Sequence, residues 1–202
     1  MRSISLDHDV RQCIRGFKLL ANISWDRVDD VIIPVNVSTS FHWFLIVFRI
    51  KLRCLHVYDS MMGGALHDKS VNIVVDKLAT MIPLFLTSTS FYGKRLDLYA
   101  NKLPEYIDKS QSDPVAVKHM TNVPQQDETS NDYGMYICLF VEYISNGVFD
   151  MRSIDIDAKY HRQRYATIIW HYEEKKNDDG AISESEVIRT VACKFGGPHI
   201  AK

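Results

Sequence analysis

The chain has 202 residues, 46% hydrophobic and 24% charged, a composition that fits one globular domain with a sizeable core. Its 24 basic and 25 acidic residues leave a formal net charge of −1, which excludes a global field drawing it to nucleic acid or to an anionic membrane. Four cysteines (Cys13, Cys54, Cys138, Cys193) without a C-x-x-C pair, and no signal-peptide pattern, point to free thiols in a reducing compartment, nuclear or cytoplasmic.

In chain order, Val10, Ile14, Phe17 and Leu20 recur at helical steps and predict a short amphipathic helix. The runs "DDVIIPVNV" and "FHWFLIVFRI", bounded by Pro34 and by "NVSTS", and then "LRCLHVYDS", predict three adjacent strands. The middle run is apolar at nearly every position, as expected of a central strand covered on both faces. It is also the longest apolar run, too short to span a bilayer, so no membrane segment is expected. "HDKSVNIVVDKLATMIPLF" predicts a helix capped by Asp68 and ended by Pro83, with Val71, Val74, Val75, Leu78 and Ile82 on its inner side. Residues 84 to 113 read as loops with one short helix around "LDLYANKLPEYIDK", and "PVAVKHMTNVP" as a further strand. A polar connection then leads to a helix from Asp132, its natural N-cap, to a stop at Asn146-Gly147, and its almost unbroken apolar content predicts enclosure by the core. A last helix follows Asp157, with Tyr165, Ile168, Ile169 and Tyr172 on its apolar face. The domain is expected over residues 1–180, with a weakly patterned tail at 181–202.

A His-Trp pair (His42, Trp43) opens the buried strand, Asp59 ends the next one, and a glutamine pair (Gln125, Gln126) precedes the helix that begins after Asp132. These are parts of a thiol hydrolase, which needs an imidazole to take the thiol proton, a carboxylate to orient it, and a donor for the oxyanion. The sulfur belongs at a helix N-terminus, where the dipole and unpaired N–H groups lower its pKa. The segments "VIIPVN....FHWFLIVF", "LHVYDSM" and "VPQQ....NDYGMYICLFVEYI", in this order over residues 29 to 145, resemble the ubiquitin-like-protein-specific proteases, the SUMO or sentrin deconjugating cysteine peptidases related to the adenovirus protease, in particular their plant-type members.

The resemblance implies an α+β, papain-like fold with a central helix against a mixed or antiparallel sheet. It implies His42 as general base, Asp59 as its orienting carboxylate, Gln126 or Gln125 as oxyanion donor, and Trp43 as a wall of the tunnel for a Gly-Gly tail. It also implies peptide or isopeptide hydrolysis, with SUMO or another ubiquitin-like modifier as partner and no cofactor. The family's nucleophilic cysteine falls on Tyr133, in "DYG". A phenol with pKa near ~10 is only roughly 0.1% ionised at pH 7, whereas a thiol near ~8.5 is already a few per cent ionised. The rigid ring also carries its oxygen beyond where a sulfur would sit. Cys138, five positions along the helix or ~7.5 Å deeper, reads as a packing residue and not as a substitute.

Two further departures are that Asp127 stands where many members place the glutamine, and that only 41 residues precede His42, as in a truncated copy without an obvious second tunnel tryptophan, Trp25 being a poor substitute. Three readings stay open: a pseudopeptidase that still binds a modifier, an active enzyme in which Tyr133 is an oddity, and a structural remnant of a mobile-element gene. His8, His56, His119, His161 and His171 have no such context. Cys54 and His56 share a strand face, too sparse a set for a metal, and none is expected. Trp43 has a plain core reading beside the tunnel reading.

Overall fold

The computed structural model describes residues 9–16, 23–37, 42–100, 103–127, 130–152 and 154–178. The expectations for His8, Phe17, Leu20, Cys193 and the tail at 181–202 lie outside them. The chain divides into two compact units, residues 1–155 and 156–202.

In the first unit, β1 (Asp30–Val37), β2 (His42–Arg49), β3 (Cys54–Tyr58) and β4 (Ala116–His119) form a mixed sheet in the order β1-β2-β3-β4. The first three strands pair antiparallel, and β4 runs parallel to β3. With the helices the unit is α+β. The strand β1 does not stop at Pro34. It continues to Val37, because an edge strand can turn a residue without an N–H away from its single partner.

Phe44, Ile46 and Phe48 of β2 alternate with Leu45 and Val47, and all five are buried, so the internal strand is covered on both faces as expected. The first set joins Leu55 and Val57 of β3 in one apolar cluster with Val71, Val75, Ala79 and Ile82 of α2 (Ala65–Ser88). On the sheet's other side, α5 (Tyr133–Ser145) packs against β2, and its Phe140 meets Tyr58 at 6.1 Å between ring centroids.

The helix α2 corrects the sequence reading at both ends. Gly64, not Asp68, is its N-cap residue, and Asp68 sits in the first turn, where its Oδ1 accepts the Gly63 N–H at 3.3 Å. Nor does Pro83 end it. Proline removes the donor that would satisfy the carbonyl of Ala79, and that carbonyl instead accepts the Val115 N–H at 3.0 Å, beside the start of β4. The uninterrupted helix has 24 residues and a mean hydropathy of 1.4 in its most apolar window, long and apolar enough by composition to cross a membrane. One side of it, however, builds the core described above.

The region after α2 holds α3 (Phe91–Lys94), α4 (Asp97–Ala100) and a turn of 3₁₀ helix at Pro104–Tyr106, more helical than the single short helix expected. Tyr106 donates its hydroxyl hydrogen bond to the Ile50 carbonyl at 2.6 Å. Among the described residues, α1 spans Asp9–Ile14. The helix α5 is one-sided rather than enclosed: Tyr136, Ile137, Leu139, Phe140 and Ile144 are buried, while Gly134 and Cys138 are exposed. Asp132 is its N-cap by position but makes no side-chain capping hydrogen bond, so that part of the expectation is corrected. Its other end follows the sequence reading, with Gly147 at φ +80°, Gly147 N–H donating to Ile144 O, and Val148 N–H to Tyr143 O.

The second unit is described by α6 (Ala158–Asp178), whose Tyr160 N–H donates to Asp157 Oδ1 at 3.0 Å. Its Ile168, Ile169 and Tyr172 are exposed.

Candidate active site

Sheet register explains how distant residues meet. Leu45 pairs with Tyr58, so one step further Phe44 stands opposite Asp59, and His42, two residues away, projects from the same face. That face is the one α2 covers. His42 Nε2 donates to Asp59 Oδ1 at 2.8 Å, with both side chains almost fully buried.

A residue the sequence reading passed over completes the cluster. His67, in the first turn of α2, donates from Nε2 to the other carboxylate oxygen, Asp59 Oδ2, at 2.7 Å, and its ring lies edge-on to His42 at 4.7 Å. It follows Asp59 by eight residues, across a tight glycine-containing loop. A helix start at Asp68 leaves His67 outside the helix, whereas the start after Gly64 places it in the first turn, where it reaches Asp59.

Burial by itself would raise the Asp59 carboxyl, but the hydrogen bonds from His42 and His67, the electrostatic attraction of the His42 ring and the Met61 N–H outweigh it and hold it below the usual carboxylate range. An ionised carboxylate only accepts, so both Nε2 atoms carry hydrogen. The opposite ring nitrogen, Nδ1 of His42, is buried without a hydrogen-bond partner among the described residues.

Tyr133 is the first residue of α5, and its ring meets the His42 imidazole edge-on at 5.7 Å between centroids. The imidazole, acid and phenol named from sequence thus come together in one place. Gly134 is exposed, and a Cβ there would meet nothing within 4 Å, so the surface beside Tyr133 is open.

The two glutamines differ in what they hold. Gln125 Oε1 accepts the Met62 N–H at 2.8 Å, while its Nε2 donates to the carbonyls of Asp59 at 2.9 Å and Val123 at 3.2 Å. Its amide is committed to joining two loops. Gln126 donates its backbone N–H to Ser60 O at 2.8 Å, and among the described residues its side-chain Nε2 has only the soft Met61 sulfur at 3.6 Å. Tyr136, buried in α5, also ties that helix to this loop by donating to Gln125 O at 3.1 Å.

Trp43 is 40% exposed, so the plain core reading does not hold for it. Strand alternation turns it away from the face that carries His42. Cys138 is likewise not the packing residue expected, because it lies on the exposed side of the one-sided helix α5. Cys54 is partly buried in β3, where desolvation pushes its thiol up, and it offers no second nucleophile near Tyr133 in sequence or element.

The family model for the C-terminal catalytic domain of the Ulp1 proteases matches residues 8–175. The chain belongs to the Ulp1 protease family. No curated protein matches it. Among solved structures, it is similar to the SUMO protease Ulp1 with its catalytic cysteine oxidised to a sulfonic acid, at 19% identity and a TM-score of 0.45, over 79% of this chain and 60% of that one. It is also similar to the C-terminal Ulp1 protease domain in complex with Smt3, the yeast orthologue of SUMO, at 20% identity and a TM-score of 0.45, over 79% and 59%. The chain therefore spans about 60% of the length of these structures, and membership in the Ulp1 family rests on the family match.

Proposed function

We propose that this Ulp1-family domain has lost acyl transfer and retains the cleft of a SUMO-type peptidase as a binding site for the Gly-Gly tail of a SUMO-like modifier, in the nucleus or cytoplasm. The observation that supports this most is Tyr133, packed edge-on against His42 at the first residue of the helix where the family carries its cysteine.

In this reading, Asp59 holds the His42 ring with Nε2–H toward itself, which leaves Nδ1 as the lone pair for a nucleophile's proton. Gln126, not Gln125, is the oxyanion donor, because its side-chain amide is the uncommitted one. Exposed Trp43 is the apolar wall for a glycine tail. The missing part is the sulfur. A phenol is intrinsically a far weaker acid than a thiol, and its rigid ring occupies space that an attacked carbonyl would need.

The test is titration of a SUMO-type modifier ending in Gly-Gly, followed by calorimetry, beside a cleavage assay with a C-terminal reporter. Binding without reporter release is expected, with Trp43→Ala weakening it roughly tenfold, about 1.4 kcal/mol. Reporter release that disappears in His42→Ala would overturn the proposal, as would the absence of binding to any such modifier.

A further inference from the structure

We propose that His42, Asp59 and His67 form a binding site for a divalent transition-metal ion of the zinc type, a property independent of whether the cleft binds a modifier. Their ligand atoms all lie within 4.8 Å of one another, and the three side chains come from β2, the end of β3 and the first turn of α2. Two imidazoles and one carboxylate are a donor set that suits zinc, cobalt or nickel, with further positions left for water.

Acid–base work explains only part of this cluster. One imidazole on Asp59 satisfies the needs of acyl transfer, yet His67 occupies the second carboxylate oxygen at 2.7 Å, as close as His42 occupies the first. The carboxylate is already oriented by the Met61 N–H, which donates to Oδ1 at 2.9 Å, the kind of outer support that fixes a metal-binding carboxylate.

Replacing the two shared protons by a cation adds no hydrogen-bond deficit. Metal on both Nε2 atoms moves each neutral ring's hydrogen to Nδ1, and in the metal-free cluster both Nδ1 atoms are already buried without a partner among the described residues. A cavity of about 240 Å³ reaches the cluster at Asp59, and Met62, Asp68, Val71, Asn72 and His119 form the rest of its lining.

The experiment is titration of the full chain with Co²⁺, read by its visible d–d absorption, and competition by Zn²⁺. Expected are one ion per chain, bands of tetrahedral or five-coordinate intensity, and displacement by Zn²⁺ with a rise in Tm. His67→Gln should weaken binding by at least the roughly 10–100-fold seen when a mere second-shell partner is lost, and Asp59→Asn should do the same. No cobalt bands in the folded protein would overturn the proposal, as would equal affinity in all three proteins, which places the ion elsewhere. Should either variant fail to fold, imidazole NMR of the unaltered chain decides: Zn²⁺ must shift the ring signals of both His42 and His67, and unshifted signals refute the site.

Discussion

The Asp59 carboxylate accepts from His42, His67 and the Met61 N–H at once, and this makes it the residue on which acid sensitivity should centre. Its folded pKa is depressed, so its contribution to stability is fully present above the unfolded value near ~3.9 and is lost as pH falls through the lower folded value. At neutral pH, Asp59→Asn should lower stability by about 1.5–3 kcal/mol, the range for hydrogen bonds to a charged group. The difference between the two proteins should shrink as pH drops below about 4, measured as Tm against pH. A difference that stays constant down to pH 2 would mean that the ionised form of Asp59 is not what the histidines stabilise. Sequence pattern named His42 and Asp59 because both stand at strand ends in a recognisable order. It could not name His67, which carries no motif and reaches the site only through the exact residue at which α2 begins.

At the scale of elements, alternation and apolar runs made β1, β2 and β3 legible, since their hydrophobic residues report the two faces of the sheet. Pro34 and Pro83 misled for a shared reason: a proline's missing N–H is harmful only where a carbonyl needs it. The edge position of β1 removes that need, and the Val115 N–H meets it in α2. Val115→Pro would take away that N–H and should therefore leave the Ala79 carbonyl buried and unsatisfied, lowering stability by about 1–3 kcal/mol. A second expectation concerns the stop of α5. Gly147 sits at φ +80° with open space around its Cβ position, so Gly147→Ala should lose about 1–2 kcal/mol from backbone conformation alone, read by urea denaturation. An unchanged midpoint would show that the left-handed stop is dispensable.

Across the whole molecule, the site is a product of topology. The strands β2 and β3 bring His42 to Asp59 from one face, α2 returns His67 to the same pair, and α5 brings Tyr133 to the His42 ring. Of this, the order of motifs along the chain disclosed the family and the convergence of His42, Asp59 and Tyr133. Which glutamine has a free amide, and that Trp43 and Cys138 face outward, depend on loop hydrogen bonds and on which side of a strand or helix meets the core, and composition does not encode either. The central claim of the proposal is that His42, Asp59 and Gln126 keep the positions acyl transfer would need while the sulfur is missing. The most direct measurement is labelling of Tyr133→Cys, with a metal chelator present, by a SUMO-type probe bearing a C-terminal vinyl sulfone. The account predicts a covalent adduct in Tyr133→Cys and none in Tyr133→Cys combined with His42→Ala; a folded Tyr133→Cys protein that binds the probe yet stays unlabelled would contradict it.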